Sequence, residues 1–283
     1  MKVTKPDLYS KASDSLLEES LAEHKPTVIA QITDSHLFSS LNGLHHGYNV
    51  LKNLKDVLFS IRHRCEIEAI IFTGDLTQDN TEQSYQNFVD CVSECKITVP
   101  IYYLAGNHDE PALLDKYFSA SPFIADKEIT FTHWQIQLVN SKSETPAGYV
   151  SKEALNKLEG AISKDKCQLL MMHHHPIDVG YFIDKHGLQN KSDFWQAINC
   201  YTNIKGIACG HVHGAMELTQ PLNQQFKSQS IKSKEPVILY TCPATSMQFD
   251  PDAKEGGALD KGPGYRVFTL YPEGKLLTNI VML

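Results

Sequence analysis

The stretch IEAIIFTGD, residues 67–75, is an apolar run that ends abruptly in polar residues, and TVIAQITD (27–34) and VPIYYLAGNHD (99–109) repeat the pattern. Each run is continuous rather than alternating, as expected of a strand buried on both faces. Between them lie NVLKNLKDVLFSIRHR (49–64) and TEQSYQNFVDCVSEC (81–95), both of helical character. In the first, Val50, Leu51, Leu54, Val57, Leu58 and Ile61 recur at helical spacing. The first half of the chain therefore reads as βαβαβ.

The second half changes character. EITFTHWQIQLVNS (128–141) reads as a strand pair, SKEALNKLEGAISK (151–164) as a helix and CQLLMMHHH (167–175) as a buried strand. SDFWQAINCYTN (192–203) is a further helix and IKGIACGHVH (204–213) a further strand. Only strand-like segments follow: AMELTQPL (215–222), PVILYTCPATS (236–246) and YRVFTLYPEGKLLTNIVML (265–283), the last turning at Pro272-Glu273-Gly274. Mixed strand order with helices outside predicts an α/β fold of two packed sheets. Residues 1–24 read as an N-terminal helical extension, with the helix over 8–23 ended by Pro26. Neither linker nor repeat interrupts 25–283, which is expected to be a single domain, and DPDAKEGGALDKGPG (250–264) is expected to be a long mobile loop.

Composition narrows the function. A chain of 283 residues with 42% apolar content builds a substantial core. Its formal charge of −7 and lack of a basic run disfavour polymeric nucleic acid and anionic membranes as partners. An anionic small molecule would need local positive charge, for example from metal ions. No apolar stretch approaches the roughly 20 residues that span a bilayer, and the start lacks the apolar core of a secretion signal, so the chain reads as cytoplasmic. The seven cysteines (Cys65, Cys91, Cys95, Cys167, Cys200, Cys209, Cys242) include no C-x-x-C pair, which fits reduced and mostly buried thiols.

Polar residues fall at the strand ends. Asp34 and His36 follow the first strand, Gly74-Asp75 the second and Gly106-Asn107-His108-Asp109 the third; His173-His174-His175 and Gly210-His211-Val212-His213 follow two later ones. Each piece alone is ordinary, since Asp caps helices and Gly, Asn and Asp make turns. Five strands delivering such residues to their carboxyl ends match the place where α/β sheets bind ligands. Carboxylate, imidazole and one amide, without a thiolate motif, suit Mn²⁺, Fe or Zn²⁺. The set exceeds what one tetrahedral ion uses, whereas two ions sharing a carboxylate about 4 Å apart would clamp a phosphoryl group. No G-x-S-x-G elbow, P-loop or G-x-G-x-x-G is present.

The ordered series Asp34-Ser35-His36, Gly74-Asp75, Gly106-Asn107-His108-Asp109, His173 and Gly210-His211-Val212-His213 resembles the calcineurin-like metallophosphoesterases over about residues 27–246. That resemblance implies a double β-sandwich of two mixed sheets flanked by helices. It places Asp34, His36, Asp75 and His213 on one metal ion, Asp75, Asn107, His173 and His211 on the other, and His108 facing the phosphate. The segments QITDSHLF, GDLTQD, AGNHD, MMHHHP, DKHGLQN, PATSMQF and GPGYRVFTL are similar to those of bacterial class III 3′,5′-cyclic-AMP phosphodiesterases. The implied reaction is hydrolysis of cyclic AMP to 5′-AMP by a hydroxide that two divalent ions activate, with Fe²⁺ or Mn²⁺ favoured and Zn²⁺ an alternative.

On this reading the substrate meets His36, Asp75, Asn107, His108, His213 and His175, with His108 as the general acid. His174 faces away as a supporting residue, and His175 starts a loop that overhangs the substrate. One departure stands out: related protein Ser/Thr phosphatases place an Asp three residues beyond the bridging Asp to orient the His of G-N-H, and here that position is Gln78. Asp79 and Asp109 are the candidates to replace it. The alternatives are an enzyme of the same fold acting on 2′,3′-cyclic nucleotides, glycerophosphodiesters or phosphomonoesters, and a metal scaffold that has lost catalysis.

Overall fold

A computed structural model describes residues 25–219, 236–254 and 256–283; the N-terminal helix expected over 8–23 and the end of the strand expected over 215–222 lie outside the described residues. The chain first lays down β1 (Thr27–Ile32), β2 (Ala69–Phe72), β3 (Ile101–Tyr103) and β4 (Phe123–Ile124). It then crosses to a second sheet with β5 (Glu128–Thr130), β6 (Trp134–Val139), β7 (Cys167–Met172), β8 (Ile204–Cys209), β9 (Glu217–Thr219) and β10 (Ile238–Thr241). Finally it returns to the first sheet with β11 (Gly264–Leu270) and β12 (Leu276–Met282). Both sheets have six strands, ordered β12-β11-β1-β2-β3-β4 and β9-β10-β8-β7-β6-β5. Their centres are parallel, β1 with β2, β2 with β3, β7 with β6 and β8, and antiparallel pairs close the edges at β11–β12, β5–β6 and β9–β10.

Alternation along each strand sorts its side chains into layers. On β1 and β2, Ile29, Ala69 and Ile71 point between the sheets, while Ala30, Ile32, Ile70 and Phe72 point outward. The outward set packs against α1 (Val50–Arg62), α2 (Glu82–Glu94) and α3 (Pro111–Tyr117). On the other sheet Leu169, Met171 and Ala208 meet the first sheet, and Leu170, Met172, Ile207 and Cys209 meet α4 (Lys152–Ala161) and α5 (Lys191–Ile198). The order helix, sheet, sheet, helix is the double sandwich that the motifs implied. Helix starts are fixed by side-chain oxygens: Asn49 accepts from Lys52 N, Thr81 from Ser84 N and Ser151 from Ala154 N.

One buried cation bolts the sheets together. Arg266, on β11 of the first sheet, donates from Nε and Nη2 to the Thr241 carbonyl at 3.0 and 2.9 Å and from Nη2 to the Met216 carbonyl at 3.1 Å, both on the second-sheet side. Fully buried, the guanidinium is tolerated because its N–H groups all face oxygen.

One expectation needs amendment. The loop over 250–264 is partly ordered, because Ala258–Leu259 pairs with Gln248–Phe249 as a short ribbon. Helix α3 and strand β4, seven and two residues long, are too short to show a period in the sequence. The intersheet layer leads to a first prediction. Ile71→Ala removes a fully buried side chain there and is expected to lower unfolding free energy by about 2–5 kcal/mol; urea denaturation should show a shifted midpoint at unchanged slope.

Candidate active site

Strand ends from both sheets converge on one place. Asp34 and His36 follow β1, Asp75 follows β2, Asn107 and His108 follow β3, His173 is the residue after β7, and His211 and His213 follow β8. Asn107 and His108 are half-buried, and the others are buried. Asp34, His36, Asp75, His211 and His213 have φ of 54°, 44°, 56°, 66° and 48°. A non-glycine residue in this left-handed region costs about 1–2 kcal/mol, and such conformations gather where a site must hold side chains in place.

Glycine explains how the loops approach. Gly74 has φ of 96°, and a Cβ there would lie 2.3 Å from Gly106 N; a Cβ on Gly106 would lie 2.2 Å from Asp75 Oδ1. The two loops thus meet backbone to backbone, which only glycine permits. Buried Asp109 clasps both, accepting from the N–H groups of Gly106, Asp75 and Leu76, each at 2.8 Å. Burial, and then the charge of Asp75, push the Asp109 carboxyl up to about 6 against the pull of these amides.

Hydrogen bonds fix the ring orientations. His36 Nδ1 faces Gln78 Oε1 at 2.7 Å, His173 Nδ1 faces the Thr73 carbonyl at 2.7 Å and His213 Nδ1 faces the Met247 carbonyl at 2.9 Å. A carbonyl oxygen only accepts, so each Nδ1 carries a proton and each Nε2 is turned inward. There, His36 Nε2 and His213 Nε2 lie 3.1 Å apart, and His173 Nε2 lies 3.1 Å from Asn107 Oδ1 and 3.2 Å from Asp75 Oδ2. His213 Nε2 is 3.4 Å from Asp34 Oδ1, and Asp75 Oδ2 also reaches within 3.8 Å of His36 Nε2. His211 Nε2 is buried with no hydrogen-bond partner among the described residues.

Such a cluster of acceptors fits cations. Asp34, His36 and His213 form one group of donor atoms within 4.8 Å of one another; Asp34, Asp75 and His173 form a second, and His36, Asp75 and His108 a third. Burial and the neighbouring His213 hold the His36 imidazole well below its usual range, and burial with His174 and His173 does the same for His211, so both rings offer neutral nitrogen. Burial works to depress His173, yet the adjoining Asp75 carboxylate lifts it to about 9. Likewise burial works to raise Asp75, and the His173 imidazole holds it well below the carboxylate range. Positive charge is favoured at this spot, and divalent cations supply it more strongly than one proton does.

The three consecutive histidines take different positions. His173 joins the donor cluster, grouping with His174 and His211 as well. His174 has both ring nitrogens engaged, Nδ1 with Ser141 Oγ at 2.8 Å and Nε2 with the Pro146 carbonyl at 3.2 Å, and so braces the 141–146 loop. The expected contact of His175 with substrate does not fit its surroundings. Its ring is fully buried, stacked 5.7 Å from His211, with Nε2 3.1 Å from Asp184 Oδ1, so it supports the site from behind.

Gln78 does not orient His108; it caps His36. Neither candidate replacement does so, because Asp109 is spent on backbone amides and Asp79 on Ser39 N, Thr81 N and Thr81 Oγ1. His108 is anchored by its own backbone N–H to Asp75 Oδ1 at 2.8 Å, with its ring edge-on to His36 at 5.0 Å. A residue outside the expected set, His45, also reaches the site, its ring 4.9 Å from that of His36. Burial, with His213 and His46 nearby, pushes this imidazole down to about 3.

With fold and site in place, the class follows: residues 27–215 match the calcineurin-like phosphoesterase family model, and the chain belongs to that family. Among its relatives is a probable cyclic nucleotide phosphodiesterase of Colwellia psychrerythraea, 70% identical over 260 residues that cover 92% of this chain and 96% of the relative. The 3′,5′-cyclic adenosine monophosphate phosphodiesterase CpdA of Escherichia coli K12 is 30% identical over 273 residues, 94% of each chain. Similar solved folds include a dimetal phosphatase from Danio rerio, with a TM-score of 0.60 at 13% identity over 87% of this chain and 93% of that one. Purple acid phosphatase from yellow lupin gives a TM-score of 0.63 at 15% identity over 92% of this chain and 52% of that one. Family and clusters together imply a dimetal centre. Among the described residues no helix is long and apolar enough to cross a membrane.

Two substitutions separate ligation from support. Asp75→Ala removes the carboxylate shared by the second and third donor groups and is expected to cut bound metal sharply by elemental analysis of the purified protein. Gln78→Ala only frees the His36 Nδ1–H, and should weaken metal affinity by about 10- to 100-fold in a competitive chelator titration.

Proposed function

We propose that this chain hydrolyses 3′,5′-cyclic AMP to 5′-AMP at a two-metal site. The observation that carries the proposal is the pair of donor groups that Asp75 spans. Asp34, His36, Asp75 and His213 would hold one ion, and Asp75, Asn107, His173 and His211 the other. Imidazoles, two carboxylates and one amide oxygen suit Mn²⁺ or Fe²⁺ best, with Zn²⁺ next. When bound, the ions polarise the phosphoryl oxygens and acidify water at the site.

The chain's own groups supply the rest. The P–O3′ bond breaks as a water oxygen bonds to phosphorus, and the 3′ oxygen leaves with a proton. His108, half-buried at the open side and fastened through its backbone to Asp75, is the residue placed to deliver that proton and to hydrogen-bond the phosphate. His36, Asp75, Asn107 and His213 border the same space. A cleft of about 530 Å³ opens beside Asn107, lined among others by Glu110, Pro111, Lys142, Ser143 and Thr145, and has room for a nucleoside. The close relatives named for cyclic nucleotides favour this substrate over other phosphoesters. Seven unpaired cysteines fit action in a reducing compartment, the cytoplasm.

Steady-state hydrolysis of 3′,5′-cyclic AMP beside 2′,3′-cyclic AMP and bis(p-nitrophenyl) phosphate, with added Mn²⁺, tests the substrate; a large preference for either of the others overturns it. His108→Ala is expected to keep its metal and to lose about 10²- to 10⁴-fold in kcat on cyclic AMP. Metal loss or full activity in that variant would contradict the role given to His108.

A further inference from the structure

The sequence NGLHHGYN (42–49) forms a ribbon in which Leu44–His45 pairs with Tyr48–Asn49, turning through His46 and Gly47 at φ of 49° and 87°. Both anchors of the ribbon lie outside it. The Asn49 side chain accepts from Lys52 N at 2.9 Å at the start of α1, and Tyr48 Oη donates to the Leu259 carbonyl and Asp260 Oδ1, each at 3.4 Å. The ribbon thereby holds the His45 ring against His36, tilted 46°, while the rings of His108 and His213 lie 5.0 and 4.9 Å from the same His36.

His45 belongs to none of the converging donor groups. Its Nδ1 is nonetheless buried and without a hydrogen-bond partner among the described residues. A buried imidazole nitrogen left unpaired is unfavourable, and a phosphoryl oxygen held next to His36 and His108 would pair with it. We propose that His45 is a substrate-contacting residue whose imidazole donates a hydrogen bond to a phosphoryl oxygen of the bound phosphoester. This rests on reading the site as a phosphoester-hydrolysing dimetal centre and is independent of which nucleotide is the substrate. The bond exists in the ground state, so its loss weakens binding more than turnover.

The test compares wild type, His45→Ala and His45→Asn as full-length, Mn²⁺-loaded protein. Metal content is measured by elemental analysis, affinity for inorganic phosphate by calorimetry, and kcat and KM on bis(p-nitrophenyl) phosphate. His45→Ala should keep its metal, weaken phosphate binding and raise KM by about 10- to 100-fold, as expected for a hydrogen bond to a charged group, and change kcat by only about threefold. His45→Asn, which retains an N–H donor, should recover part of the affinity. Unchanged phosphate affinity in His45→Ala, loss of metal in step with loss of phosphate, or no phosphate binding by the wild type would each overturn the proposal. Turnover of 3′,5′-cyclic AMP by the wild type is read separately, so a failure of the substrate assignment leaves the His45 result interpretable.

Discussion

A buried cluster crowded with hydrogen-bond acceptors is unstable by itself, and this molecule is arranged to hold one together. Two imidazole nitrogens face each other at 3.1 Å, and a third faces a carboxylate and an amide oxygen. The rings cannot rotate away, because carbonyls of Gln78, Thr73 and Met247 hold the opposite nitrogen of each one; a proton shared between His173 and Asp75 relieves only part of the crowding. Cations resolve the conflict, so affinity for metal is written into partners that never touch it.

Since the donors come from both sheets, the site is only as well defined as the sheet-to-sheet register. Asp34, His36, Asp75, Asn107 and His108 ride on the first sheet, and His173, His211 and His213 on the second. A slip of one ångström between them would break the convergence. Two features oppose such a slip: the apolar layer around Ile71, Leu169 and Phe268, and the Arg266 guanidinium gripping carbonyls of the facing sheet. Gly74, Gly106 and Asp109 perform the same task at shorter range between neighbouring loops.

Much of this is legible in the chain because strands buried on both faces are predominantly apolar, and the donors begin where the apolar runs stop. Asp34, Asp75, His173 and His211 are visible for that reason, and the fold brings together the strand-end residues that the motifs single out. The partners that orient them are not visible: Thr73 and Met247 act through carbonyls, which every residue has. Gln78 stands where related phosphatases carry an aspartate, yet its ring partner is His36 rather than His108. His45 is not legible because two histidines beside a glycine look like a surface turn, and nothing local says that the ribbon brings it against His36. The burial of His175 depends on Asp184 and on a loop that returns from nine residues away.

The amide at Gln78 bears on the electrostatics of the whole protein. The chain has a formal charge of −7, an unwelcoming surface for an anionic ligand. Within the donor clusters only Asp34 and Asp75 are carboxylates, and two divalent ions would bring twice their charge. A neutral cap on His36, where a carboxylate would serve equally well as an acceptor, keeps that surplus undiminished. The filled centre would then be a small island of positive charge in a chain of net negative charge, drawing anions towards its opening. Metal occupancy would thus govern the rate of substrate capture as well as the chemistry.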